Sequence, residues 1–244
     1  MDYFVTQLLE TSGLTAVALA ARSGVSRSTL FRIDRGQTDS RTETLRELAI
    51  AAGFDLTVAT RPLSDPDAGR AARVLLDGRY DLPPDQSVTQ WIHRLGRLAG
   101  IDPVDIVRVA GVSSSLIKRT GAVFLTGEAD DLKLAAAGEN SGKAWILSGR
   151  GALEQISSDQ QPLPGTARVL YAEDVHRVVR SLDHLVQGRP ERADVIVAPL
   201  TDDLGIDALV AGRLRYVAPI QALIDGFGLG GSAANVAADI AGSW

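Results

Sequence analysis

The chain has no cysteine, a single methionine and only 5% aromatic residues. Without cysteine there is neither a disulfide framework nor a thiolate metal site, which suits a reducing compartment. With so few aromatics, any core must be aliphatic, and the 45% of hydrophobic residues supplies enough Leu, Val, Ile and Ala for more than one. Long apolar runs are also missing. The longest near the N-terminus covers residues 16–21, far short of the roughly 20 residues that a membrane span needs. No basic stretch precedes it, as a secretory signal would require. The expectation is a cytoplasmic protein with no membrane partner.

Positive charge is also in short supply. Lys and Arg number 25 against 30 Asp and Glu, a net charge of −5. Taken as a sum this argues against nucleic acid, because phosphate neutralisation dominates such affinity. The distribution says otherwise. Between Arg22 and Arg41 there are five arginines against two acids, Asp34 and Asp39. A locally basic face on an acidic chain can still meet DNA.

A length of 244 residues favours two domains. Residues 2–53 read as a series of short helices. Phe4, Leu8 and Leu9 share one helical face. Thr15 is placed to cap a helix over 16–22, Ser26 to cap another over 27–34, and Ser40-Arg41-Thr42-Glu43 has the form of a capping box for a helix ending at Gly53. Residues 54–59 alternate like a short strand. Residues 61–69, with two prolines, two aspartates and a glycine, have linker chemistry.

Beyond it, 70–118 predicts helices, one led by a capping box at Ser87-Val88-Thr89-Gln90 and one by Asp102-Pro103. From Gly121 the period shortens. Strands are expected at 122–125, 132–135, 144–147, 167–171, 194–198 and 213–217, and helices at 174–186, 219–225 and 233–241. Strand, helix and strand over 167–198 form a β-α-β order. The expected fold class is therefore multidomain. An N-terminal all-α domain spans residues 1–60, and residues 70–244 hold a helical segment followed by an α+β regulatory or partner-binding domain.

Residues 20–36, AARSGVSRSTLFRIDRG, carry the most specific pattern. Ala20 is small where two helices would cross. Gly24 permits a positive φ in a tight turn. Val25, Leu30 and Ile33 face a common apolar junction, and Ser26 caps the second helix. This segment resembles the Xre/Cro–repressor family of helix-turn-helix proteins, over about the first 55 residues. The resemblance implies that the second helix enters the major groove, with Arg27 and Ser28 at base edges and Thr29 and Arg32 on or beside the same face. It further implies phosphate contacts around Thr15, Ala16 and Thr38, with Ser26 at the helix start and Arg35 and Arg41 adding charge. Double-stranded DNA is the expected partner, and a homodimer is expected because two-fold operators need two modules.

Two later segments, 143–153 (KAWILSGRGAL) and 214–225 (LRYVAPIQALID), resemble the C-terminal part of AbiEi-type antitoxins. Those proteins regulate their own operon and counter a nucleotidyltransferase toxin. Their N-terminus is usually a winged helix, which this chain does not carry.

Other motifs carry less. Residues 110–119 faintly echo the first pattern, with Lys118 and Arg119 as candidate DNA contacts, but more often such a stretch is a capped helix end. Gly226-Phe227-Gly228-Leu229-Gly230-Gly231 lacks the preceding strand and following acid of a dinucleotide fingerprint, and reads as an inter-helix turn. His93, His176 and His184 have no ligand spacing around them. Asp130-Asp131 and Asp202-Asp203 are adjacent pairs that do not converge on one helix face. No metal and no cofactor is expected, and no nucleophile has a base beside it. The expected function is a sequence-specific DNA-binding regulator, a repressor, and not an enzyme. The alternatives are an antitoxin that neutralises a nucleotidyltransferase-type toxin, or an enzyme domain fused to a helix-turn-helix.

Overall fold

The computed structural model describes residues 3–157 and 163–243. It divides into two compact units, Met1–Arg61 and Pro62–Trp244.

The first unit is built from four helices: α1 (Phe4–Ser12), α2 (Ala16–Ser23), α3 (Arg27–Asp34) and α4 (Thr42–Ala51). Their apolar residues meet in one small core of Val5, Leu8, Leu19, Leu30, Ile33, Leu45, Leu48 and Ala52. Val25 and Ala20 pack against its edge. Two expectations fail here. Arg41, not Ser40, is the N-cap of α4, and it makes no side-chain cap hydrogen bond. Residues 54–59 form no strand, because alternation alone does not make one where no neighbouring strand supplies a ladder.

The second unit begins inside the stretch whose composition suggests a linker. Asp65 caps α5 (Pro66–Leu76), with Pro66 in the first turn where its missing N–H is not needed. α6 (Gln86–Leu98) and α7 (Pro103–Ser113) follow. Asp102 caps α7 as its sequence suggests, but α6 starts from Asp85 instead of Ser87. After α7 a 3₁₀ turn at Leu116–Lys118 leads into the sheet region. The echo at 110–119 is thus a helix end. Arg119 there is committed to structure, donating to the Ser114 carbonyl at 2.6 Å and the Ser64 hydroxyl at 3.1 Å.

The sheet contains β1 (Val123–Thr126), β2 (Trp145–Gly149), β3 (Arg168–Ala172), β4 (Val186–Gln187), β5 (Val195–Pro199), β6 (Leu209–Ala211) and β7 (Leu214–Tyr216). Its order is β4-β1-β5-β3-β2-β7-β6. β3 pairs parallel with β5, and β2 parallel with β7, while the other pairs are antiparallel. The chain is therefore multidomain, all-α at the N-terminus and mixed α+β beyond. Interleaved helices are α8 (Asp131–Ser141), α9 (Arg150–Ile156), α10 (Val175–Ser181), α11 (Pro219–Leu229) and α12 (Gly231–Ala241). Residues 132–135, expected as a strand, lie in α8. Asp130 accepts the Lys133 amide at 2.8 Å and caps that helix, and the alanines that follow extend it. The helix expected over 174–186 stops at Ser181, residues 182–185 turn, and Val186 begins β4 instead.

α11 is buried along 221–228. A helix that is apolar all round needs neighbours on every side. The sheet lies on one side, α7 and α12 on the others. The glycines read as an inter-helix turn serve this packing instead. Gly226 and Gly228 lie inside α11, and only Gly230 stands between it and α12, which begins at Gly231. A Cβ on Gly111 of α7 would overlap the Ile224 carbonyl and stand 2.6 Å from Phe227 Cβ. Gly111→Ala is expected to lower the stability of this unit by at least about 1–3 kcal/mol, the usual cost of overpacking. Urea unfolding followed by Trp91 and Trp145 fluorescence checks it, and an unchanged midpoint would refute the close approach.

Asp225 on the same helix is buried and accepts from three donors: the Ser148 hydroxyl on β2, the Tyr171 hydroxyl at 2.9 Å on β3, and the Gln221 amide at 2.9 Å. Burial pushes its carboxyl above the ordinary value, and the three hydrogen bonds pull it partly back. A raised native pKa means that the folded state binds the proton more tightly than the unfolded one. Stability from this group is thus full below the unfolded value and is lost as pH rises through the native one. Relative to wild type, Asp225→Asn should show a flatter loss of stability as pH rises above the ordinary carboxylate range in urea titrations. Parallel curves for the two proteins would exclude the linkage.

No single helix among the described residues is long and apolar enough to cross a membrane.

Candidate nucleic-acid interface

The turn between α2 and α3 sets the geometry of the first unit. Gly24 ends α2 at φ 70°, the left-handed region that glycine enters without strain. Thr15 caps α2 by accepting the Ala18 amide at 3.2 Å. Ser26 caps α3 by accepting the Thr29 amide at 3.2 Å. Leu30 and Ile33 then bury the inner side of α3 in the core.

The outer side follows from helical spacing. Arg27, Ser28, Phe31, Arg32 and Arg35 are all exposed. None of Arg22, Arg27, Arg32, Arg35 and Arg41 joins an ion pair among the described residues. Thr29 is half-buried, and its hydroxyl is shared with Ser26 Oγ at 2.8 Å and the Arg32 guanidinium at 3.5 Å. Ser26 Oγ also meets Ser28 Oγ at 3.0 Å. The start of α3 is therefore a compact group of hydroxyls beside Arg27. Thr15 is exposed and Ala16 half-buried at the start of α2, and Thr38 is half-buried in the segment between α3 and α4.

The residue that the sequence reading passed over is Phe31. It is 52% exposed in the middle of the outer face. The signal was available: Phe31 sits four residues from Arg27 and three from Ser28, while Leu30 and Ile33 already fill the inward positions.

One acid on α3 is withdrawn from that face. The Asp34 carboxylate accepts the Thr6 amide at 3.0 Å and the Thr6 hydroxyl at 2.7 Å. Tyr3, the N-cap of α1, makes no side-chain cap bond, so Asp34 supplies the cap from 28 residues away. Asp34→Ala should destabilise the first unit by about 1 kcal/mol, the cost of a lost N-cap. Amide hydrogen exchange over residues 4–34 is the suitable measurement, since all three tryptophans lie outside this unit. Unaltered protection in α1 would show that the cap is dispensable.

In the second unit one buried polar cluster serves packing. Arg73 is fully buried and holds the carbonyls of Asp203 at 3.1 Å and Ile206 at 2.8 Å, with Asp77 at 3.2 Å. No group of three or more His, Cys, Asp or Glu side chains among the described residues is arranged to hold a metal ion.

No curated protein matches this chain, and no solved structure matches it. Residues 5–58 match the helix-turn-helix family model. That stretch runs from the first turn of α1 through all of α2, α3 and α4, so the first unit is similar to the helix-turn-helix domains of DNA-binding regulators.

Proposed function

We propose that the protein is a sequence-specific transcriptional repressor that reads the major groove with α3. The observation that carries this reading is the outer face of α3, where unpaired Arg27 and Arg32 flank Ser28 and Phe31 on a helix whose other side is locked into the core. Arg27 is suited to a bidentate contact with guanine O6 and N7, and Phe31 to the methyl group of thymine. Thr15, Ala16, Ser26, Arg35 and Thr38 surround that face and fit phosphate contacts, which set register and not sequence. The protein acts by binding, without a catalytic step or cofactor, in the cytoplasm. It works as a homodimer, since half-sites one helical turn apart need two copies of the module.

The test is fluorescence anisotropy on the promoter DNA upstream of its own gene and on a scrambled duplex, across a salt series. Arg27→Ala and Arg32→Ala should each cost about 1–3 kcal/mol on the promoter and little on the scrambled duplex. Arg35→Ala should weaken both duplexes alike and reduce the salt slope by about 1. Equal, weak binding of wild type and variants to both duplexes would sink the self-regulation reading.

A second reading, an antitoxin, is favoured by one observation. The two segments that resemble AbiEi-type antitoxins come together in space. Leu147 of β2 is in register with Tyr216 of β7, and Ser148 donates to Asp225. Co-purification with a nucleotidyltransferase encoded next to it, and relief of that enzyme's toxicity on co-expression, would support this reading.

A further inference from the structure

A cavity of about 400 Å³ opens at one end of the sheet in the second unit. Its volume lies in the range of small-molecule sites. Four adjacent strands end there, in the order β1, β5, β3, β2. Glu128 follows β1, Asp194 precedes β5, Arg168 begins β3 and Arg150 follows β2, and all four line the cavity. The strand order therefore lays two carboxylates and then two guanidiniums across it. With neighbouring strands about 4.8 Å apart, the acidic and basic sides are separated by roughly the length of a small molecule. The first turn of α8 adds Asp130 and Lys133, one charge of each sign.

The wall is fixed before any ligand arrives. Arg168 Nε donates to Asp131 at 2.8 Å, and Tyr216 holds the other oxygen of that carboxylate at 2.7 Å. Arg150 Nε donates to Glu154 at 2.7 Å. Asp194 accepts the Gly127 amide at 2.9 Å. Each arginine is held through Nε, which sets the plane of its guanidinium.

The sum of charges chooses the ligand. The lining carries three cations, Lys133, Arg150 and Arg168, against three carboxylates, Glu128, Asp130 and Asp194, and two further carboxylates that are not part of the lining, Asp131 and Glu154, hold the arginines. A purely anionic ligand meets no net attraction there. A ligand with a charge at each end gains from both sides.

We propose that this cavity binds a small zwitterion, an α-amino acid or a dipeptide. Its carboxylate sits against Arg150 and Arg168, and its ammonium group against Glu128 and Asp194. The site belongs to the second unit alone, and its binding stands or falls independently of DNA recognition.

The test is calorimetric titration of the full chain with each standard L-amino acid and with diglycine as probes. Acetate, ethylamine and inorganic phosphate serve as single-charge controls. At least one zwitterion should bind at a single site, and the controls should bind at least about tenfold more weakly. Glu128→Gln and Arg150→Gln should each weaken that binding by about tenfold or more. Glu128 is exposed and makes no side-chain hydrogen bond among the described residues, so its variant keeps the fold, and an unchanged thermal midpoint confirms it. The proposal is overturned if no zwitterion binds, if phosphate binds as tightly as the best zwitterion, or if Glu128→Gln leaves the affinity unchanged.

Discussion

The second unit is organised by one demand: α11 must be buried on every side while carrying a carboxylate. An unpaired buried carboxylate is very costly. Here Asp225 receives donors from β2, from β3 and from its own helix, which fixes both the rotation and the height of α11 against the sheet. Once α11 is fixed, its remaining faces define where α7 and α12 can lie. The glycines on those faces bring backbone against backbone, with Gly228 facing the Gly111 carbonyl at a distance that any side chain would close. The apolar layer of Leu223, Ile224 and Phe227 against Ala68, Val107, Ala110 and Ala237 follows from that placement. The polar contact supplies position and the apolar one supplies most of the free energy, since a net hydrogen bond contributes about 1 kcal/mol and a buried Leu, Ile or Phe side chain about 1.5–3.

The first unit solves a different problem with the same economy of parts. A helix as short as α3 is not stable alone. Ser26 closes its start, Leu30 and Ile33 anchor its inner side, and Asp34 at its end reaches across to close the start of α1. Every residue that faces inward or caps an end is thereby used, and the side left over is the one that carries arginine. A rigid element with an exposed, polar outer side is what a groove-reading module requires, because side chains that must be ordered on binding would subtract from affinity.

Much of this was legible from residue spacing, and the exceptions share a cause. Thr15, Ser26 and Asp102 were readable as caps because each is a favoured N-cap residue directly before a helical period. Ser40 and Ser87 misled because another residue, Arg41 or Asp85, was equally placed to take the N-cap position, and local sequence does not decide between them. Leu132 to Ala135 is too short for its period to separate strand from helix, and the Asp130 cap settled it. The alternation of residues 54–59 was real, but strands need partners and that segment has none within its unit. The zwitterion cavity was invisible for a stronger reason. Glu128, Arg150, Arg168 and Asp194 are scattered in sequence and meet only through a strand order of β1-β5-β3-β2, which no local pattern encodes.

The charge distribution explains how an acidic chain can carry a DNA-binding module. Residues 1–61 contain seven arginines and seven acids, so the first unit is neutral and the net charge of the chain resides elsewhere. Neutrality of the module means that long-range attraction to DNA is weak, and the Debye length of about 8 Å at physiological salt shortens it further. Affinity must then come from groups that touch the duplex. With few arginines on the outer side of α3, a complex with DNA would release few counterions, and non-specific binding, which rests almost wholly on that release, would be correspondingly poor. On the proposed reading, a base-edge contact through Arg27 would not be weakened in the same way, because it depends on paired hydrogen bonds at close range. On the proposed reading, a module without excess positive charge would raise the ratio of specific to non-specific binding by lowering the second term, and that ratio, not the affinity alone, decides whether a site is found among competing DNA.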